Sequence, residues 1–171
     1  MRRTIILFAS SRRHGNTGQL TDDIARPLGI DIIDLGTKQI SAFDYEHRNR
    51  GDEFEALMNH VLSFDQIVFA SPIYWYAVAP PMKVFLDRIS DYLDLPDLLD
   101  KGRQLRGKTG FVICTSVYDT PCAPFIEAFR ETFSYLGMRY GSCINANCKE
   151  GYKVDRYAAD IAAFTQLLHG S

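Results

Sequence analysis

The residues from 10 to 17 read Ser-Ser-Arg-Arg-His-Gly-Asn-Thr, a polar loop with two arginines and no acid. Hydroxyls, guanidiniums, an amide and a glycine in this order suit an anion. An arginine offers a planar, charge-assisted fork, and Gly15 lets the backbone close around the ligand as a nest does. A helical pattern begins at the end of the loop, so its unpaired N–H groups and positive dipole end favour a phosphate. Ser10, Arg12, Asn16 and Thr17 are therefore candidate phosphate ligands. The simpler alternative is that Asn16 or Thr17 caps the helix while the arginines are solvated.

A second stretch, "SPIYWYAVAPP" from residue 71, carries Tyr74-Trp75-Tyr76 directly after an apolar run. Three rings in a row are a poor choice for a loop exposed only to water. They suit a stacking wall for a flat aromatic ligand whose polar edge meets backbone groups. Covering the core or a subunit contact is the other reading.

Other chemistries lack their residues. The first apolar run ends in Ala9-Ser10-Ser11, without the acids of a phosphorylatable receiver. The patterns G-x-x-x-x-G-K-[ST] and G-x-G-x-x-G are absent. No cysteine opens the 10–17 loop, as a low-molecular-weight phosphatase requires, and no Ser-His-Asp arrangement can be argued from the four histidines. Cys114, Cys122, Cys143 and Cys148 form no disulfide framework in a chain this long, and C-x4-C is not a zinc knuckle. They read as structural thiols, and no metal is expected.

The elements that must hold these loops follow from the apolar pattern. Residues 4–10, 30–35, 65–71, 109–116 and 138–146 read as strands. The first, third and fourth of them hardly alternate, as strands covered on both faces do. Helical stripes lie between them at 17–26, 52–63, 81–93, 122–136 and 153–168, with Pro80 and Pro81 opening the third and Gly137 ending the fourth. Residues 36–51 read as a loop and 91–108 as an irregular excursion. Strands alternating with helices predict an α/β three-layer sandwich, a five-stranded parallel sheet of flavodoxin-like order 2-1-3-4-5. With 171 residues, one domain over 1–171 is expected. In that order ligands bind where the strand order reverses, beyond the carboxyl ends of the strands. The loops 10–17, 72–80 and 115–121 meet there.

A net charge of −2 implies neither nucleic acid nor an acidic partner. No apolar run approaches the roughly 20 residues that span a bilayer. The apolar run in "MRRTIILFASS" is only about seven residues, and reads as a first strand rather than a leader. A cytoplasmic location is the resulting expectation.

At these residues the chain resembles the NAD(P)H-dependent FMN reductase family of flavodoxin-like proteins. "SSRRHGNTGQL" is similar to the S-x-R-x-x-G-N-T phosphate loop. "SPIYWYAVAPPMKVFLDR" is similar to the S-P-[IV]-Y-W…[LM]-K-x-F-[IL]-D-R flavin segment, and "GKTGFVICTS" to the start of the fourth strand and the Thr-Ser third loop. The resemblance implies that Ser10, Arg12, Asn16 and Thr17 hold the FMN phosphate and that Pro72, Ile73, Tyr74 and Trp75 wrap the isoalloxazine ring. Thr115 and Ser116 would border the ring's other side, with Tyr118 and Asp119 as further candidates. Lys83, Asp87 and Arg88 read as structural; Lys83 and Asp87 form an i,i+4 pair worth about 0.2–0.5 kcal/mol. The residues "SAFDYEHRNRGDE" lack the cysteine cluster that gives some relatives an iron–sulfur centre. The third loop, "TSVYDTPC", lacks the glycine of many relatives.

The resemblance further implies that NADH or NADPH gives hydride to the flavin, which passes electrons to a small acceptor: free flavin, a quinone, a nitro or azo compound, or ferric iron. No side chain is named as catalytic, because the cofactor carries the chemistry. A homodimer or higher homo-oligomer is implied, with Tyr76, Val78 and residues 91–108 as candidate contacts. A flavodoxin-type electron carrier and a flavin-free interaction domain are the alternatives; a near-neutral net charge does not match the acidic surface that steers carriers to partners.

Overall fold

The apolar runs become strands whose burial follows their place in the sheet. The computed structural model of the protein describes residues 2–170. Strands β1 (Thr4–Phe8), β3 (Gln66–Pro72) and β4 (Thr109–Ser116) form the centre, and β3 is buried along its whole length. The edges are β2 (Ile32–Asp34), half-buried, and β5 (Arg139–Asn147), whose exposure varies along the strand. All four pairings are parallel, in the order β2-β1-β3-β4-β5. The absence of alternation in the central runs is thus the mark of a sheet covered on both sides.

Two helix layers provide that cover. On one face, Ile5 and Leu7 of β1 pack with Phe54 and Met58 of α2 (Phe54–Val61), Phe85 of α3 (Pro80–Arg88), and Phe129 and Phe133 of a helix spanning Ala123–Tyr135. On the other, Ile6 and Phe8 pack with Leu20 and Ile24 of α1 (Asn16–Leu28) and with Phe164 and Leu168 of a C-terminal helix, Ala158–Gly170. Successive β1 residues point to opposite layers, as the pleat requires. This is the flavodoxin-like three-layer sandwich.

Several boundaries differ from the sequence pattern. The stripe expected over 81–93 breaks after Arg88, and the chain makes two single-turn helices, α4 (Asp91–Asp94) and α5 (Leu99–Gly102), then a 3₁₀ turn at Arg103–Leu105. The break swings Tyr92 into the core beside Phe54 and leaves Leu93 38% exposed, although Leu93 belonged to the predicted stripe. Leu98 and Leu105 are buried too, so the excursion over 91–108 acts largely as a lid on the core. The helices Ala123–Tyr135 and Ala158–Gly170 are α6 and α7. The latter begins later than the predicted residue 153, because Val154–Arg156 forms a 3₁₀ turn and the Tyr157 hydroxyl donates to the Asn147 carbonyl 2.9 Å away. Finally, β2 covers only part of 30–35: Leu35 begins a 3₁₀ turn, with the Asp34 carboxylate accepting from the Gly36 amide.

Arg88 is the largest fully buried side chain. Its guanidinium donates to Asp52 (2.6 Å), Asp91 (2.7 Å) and the Ser41 carbonyl (3.0 Å), and lies 4.7 Å from the centre of the Phe54 ring. One cation thereby ties the loop before α2 to the start of α4. Among the described residues no helix is long and apolar enough to cross a membrane.

Candidate functional site

Beyond the carboxyl ends of β1, β3 and β4, the three loops surround a cavity of about 430 Å³. Ser10 and Arg12 line it from the first loop, Asn16 and Thr17 from the start of α1, Pro72 from the end of β3, Ile73, Tyr74 and Trp75 from the second loop, and Thr115 and Ser116 from the end of β4. These candidate residues therefore share one cavity. It lies at the reversal of strand order, between β1 and β3, where the topology directs a ligand.

The first loop is a tight turn, with the Gly15 amide donating to the Arg12 carbonyl at 3.1 Å. Gly15 itself is the residue before α1, and no side chain caps the helix. Asn16 and Thr17 are engaged elsewhere: Asn16 Oδ1 accepts the Tyr152 amide (3.2 Å), and Thr17 Oγ1 lies 2.7 Å from Thr115 Oγ1. In a hydroxyl pair the accepting member keeps its own hydrogen for another acceptor, so this contact leaves one donor at the cavity wall.

The two arginines part company. Arg13 is not a solvated neighbour: it grips Asp22 through both terminal nitrogens (2.6 and 3.2 Å), and its guanidinium lies 5.1 Å from the Phe8 ring centre. The pair also raises the Arg13 pKa, the Asp22 hydrogen bond outweighing burial. Close packing fixes this arrangement, since a Cβ on Gly18 would stand 1.7 Å from the Arg13 carbonyl oxygen. Arg12, in contrast, has no carboxylate partner among the described residues.

The second loop is a hairpin. Tyr74 and Ala77 exchange two backbone hydrogen bonds (2.9 and 3.0 Å), leaving Trp75 (φ 47°) and Tyr76 (φ 67°) as its central residues. Two consecutive left-handed residues are the requirement of a tight turn normally met by Asn-Gly. Placing Trp and Tyr there costs on the order of 1–3 kcal/mol each and holds Trp75 92% exposed at the rim of the cavity. Buried Ser71 secures the base by accepting the Ala79 amide (2.8 Å) and donating to the Pro72 carbonyl (2.8 Å). The Tyr74 phenol turns toward the first loop. Burial would raise its pKa, but hydrogen bonding to Ser11 and Ser10 and the nearby Arg12 charge outweigh that and lower it.

In the third loop the Ser116 hydroxyl bridges to Tyr118, accepting its amide (3.1 Å) and approaching its carbonyl (3.0 Å). Ser116 thus shapes the loop with its side chain as well as lining the cavity. Tyr118 also lines the cavity, whereas Asp119 does not; its carboxylate receives Asn147 Nδ2 at 2.8 Å. Sequence reading missed Val117, Cys122 and Cys148 as lining residues. The signal for Cys148 was available: it follows β5, whose carboxyl end adjoins that of β4. Cys114 and Cys143 stand apart from the cavity, their sulfurs 3.6 Å from each other, and this contact together with burial raises the Cys114 pKa far above the usual thiol range.

An anion-seeking end and an aromatic rim thus share one enclosure, and the volume lies within the roughly 300–1,000 Å³ of cofactor sites. An uncompensated guanidinium beside a helix N-terminus suits a phosphate, and the hairpin rings suit a fused aromatic system, so the residues present fit FMN.

Known proteins agree with this. The family model for NADPH-dependent FMN reductases matches residues 2–150. A Bacillus subtilis (strain 168) protein named as an NAD(P)H-dependent FMN-containing oxidoreductase is 27% identical over 144 residues, 79% of each chain. Among solved structures, the Trp repressor binding protein from Bacillus subtilis superposes with a TM-score of 0.77 at 22% identity, covering 99% of both chains. An FMN-dependent NADH-azoreductase from Bacillus anthracis, in complex with FMN, gives 0.68 at 13% identity over 96% of each. With the family pattern running from β1 to the end of β5, the chain belongs to the NADPH-dependent FMN reductase family and is an NAD(P)H-dependent oxidoreductase with FMN as its cofactor.

Proposed function

We propose that Ser10, Arg12, Asn16 and Thr17 hold the FMN phosphate, that Pro72, Ile73, Tyr74 and Trp75 wrap the flavin ring, and that Thr115 and Ser116 border its other side. The observation that carries this reading is the contrast at Arg12, a guanidinium without a carboxylate, lining the same cavity as the exposed Trp75 ring. When bound at these residues, FMN would supply the redox chemistry, hydride acceptance from NADH or NADPH and electron transfer to an acceptor.

The chain supplies anchoring and orientation. Arg12 gives the phosphate a charge-assisted fork, and the first turn of α1 adds amide donors. The hairpin fixes the ring plane, because its ends are tied through Ser71 and through the Ile73 amide, which donates to the Thr115 carbonyl (2.9 Å). No side chain is assigned a proton-transfer role. The acceptor is a small flat electrophile such as a quinone, an azo or nitro compound or free flavin, or else ferric iron; a planar acceptor could stack on the exposed Trp75 and Tyr76 rings.

The protein acts as one domain in the cytoplasm and as a homodimer or higher homo-oligomer. The exposed Val117 and Tyr118 beside the cavity would be covered by a second copy, since exposed apolar side chains grouped at a site commonly mark an interface. Anaerobic titration tests the reading. The purified protein should take up FMN and be bleached by NADPH or NADH alone. Bleaching only through a partner reductase would make it an electron carrier, and a protein that takes up no FMN would refute the flavin site.

A further inference from the structure

The family match ends at residue 150, and the strap that follows reaches back to the first loop. The Tyr152 amide donates to Asn16 Oδ1 (3.2 Å), and its hydroxyl donates to Asp23 Oδ2 (2.8 Å), about two turns further along the same face of α1. The Tyr152 ring is stacked on Tyr157, centroids 6.0 Å apart and planes 10° from parallel. Just before the strap the Cys148 amide donates to the Ser116 carbonyl (2.7 Å), so residues 148–152 join the first loop to the end of β4.

A backbone N–H can only donate, so the atom of Asn16 facing Tyr152 must be its carbonyl oxygen. The Asn16 amide is therefore prevented from flipping, and its NH2 group is left without a protein acceptor among the described residues. Two donor hydrogens are thus held ready at a residue that lines the cavity and opens α1. Burial, and after it the Asp23 hydrogen bond, raise the Tyr152 pKa, so the phenol stays a donor at any ordinary pH.

We propose that Tyr152 is a positioning residue for the cofactor phosphate: by bonding Asn16 Oδ1 it presents the Asn16 NH2 group to the phosphate and thereby sets the preference for FMN over riboflavin. This rests on the proposed phosphate role of the first loop. Preorganising a donor reduces the ordering cost of binding, and the effect acts only on a ligand that carries the phosphate.

Apoprotein is titrated with FMN and with riboflavin, and the ratio of the two dissociation constants is the readout. In Tyr152→Ala the ring anchors are lost, so FMN binding should weaken about tenfold while riboflavin binding stays the same. Tyr152→Phe keeps the stack and loses only the Asp23 bond, so its loss should be smaller and again confined to FMN; it also serves if the alanine variant does not fold. In an Asn16→Ala background, Tyr152→Ala should change the ratio no further, as a coupled pair requires. Equal weakening toward both flavins, or an unchanged ratio, overturns the inference while leaving the FMN reading intact. A wild-type protein that binds FMN no better than riboflavin overturns both.

Discussion

In the loop between β2 and α2 every lysine and arginine meets a carboxylate. Lys38 pairs with Glu53, Arg48 with Asp44, and Arg50 with both Glu55 and Asp97. His47 Nδ1 lies 3.0 Å from Asp91, and buried Arg88 closes the set between Asp52 and Asp91. The loop between β1 and α1 has a similar polarity, yet only Arg13 is compensated, by Asp22. Arg12, the Asn16 NH2 group and one of the Thr17–Thr115 hydroxyl hydrogens remain available. Charges that cancel internally hold a segment with no regular structure in one shape; charges left over beside a helix N-terminus hold a ligand. Polarity alone therefore says little about function, and the state of compensation says more.

The largest effect should come from breaking the compensated loop. Arg88→Met leaves Asp52 and Asp91 buried without their cation and should cost about 3–5 kcal/mol. Thermal denaturation should show a fall of roughly 10 °C, with FMN affinity of the folded protein little altered. An unchanged melting temperature would deny Arg88 its central place.

The uncompensated loop should respond in the opposite manner. Arg12→Ala should weaken FMN binding by about 1.5–3 kcal/mol, roughly 10–150-fold, without lowering apoprotein stability or turnover at saturating FMN. Arg13→Ala should instead lower stability by about 1 kcal/mol through lost packing and pairing and spare FMN affinity. Flavin titration and urea melts on the two variants sharpen the contrast between adjacent arginines; equal behaviour would erase it.

The hairpin carries strain where the loop before α2 carries pairing. Replacing Trp75 by Asn together with Tyr76 by Gly suits both left-handed positions, and should raise apoprotein stability by about 1 kcal/mol or more. Reductase activity should fall, since the rings that line the cavity are gone. A variant that is both more stable and fully active would show that the strain serves no purpose in the site.

Acid should act on the compensated loop first. Burial works to raise the Asp52 pKa, but the Arg88 hydrogen bond and the Ser41 and Phe54 amides outweigh it and lower the carboxyl below its ordinary 3.8. A folded-state value below the unfolded one means that this stabilisation is complete above pH 4 or so and disappears as pH falls toward the lowered value. Asp52→Asn should flatten that part of the stability–pH curve. A curve of unchanged slope below pH 4 would place the acid sensitivity elsewhere.

Much of this was legible in the chain. The unalternating runs of β1, β3 and β4 identified the central strands because burial on both faces removes the polar phase from the pattern. The places of Ser10, Arg12, Pro72 and Thr115 at the carboxyl ends of the central strands then followed from topology. Helix boundaries were less legible at 81–93: periodicity counted Leu93 into the stripe, but it cannot register that Arg88 and Asp91 must turn together around one buried ion pair. The role of Arg13 was not legible for a related reason, since a solvated arginine and one paired nine residues along the chain look alike until α1 exists.

The sequence by itself determined the five strands and the main helices between them, because apolar period and turn residues are local properties, and their alternation pointed to the strand order and the three loops that meet at its reversal point. Only the tertiary structure decided which of the two adjacent arginines stays uncompensated, that Trp75 and Tyr76 take left-handed backbone, and that Tyr152 bonds Asn16 from 136 residues away. Those outcomes depend on distances between segments remote in the chain, where a partner within hydrogen-bond reach separates scaffold from site.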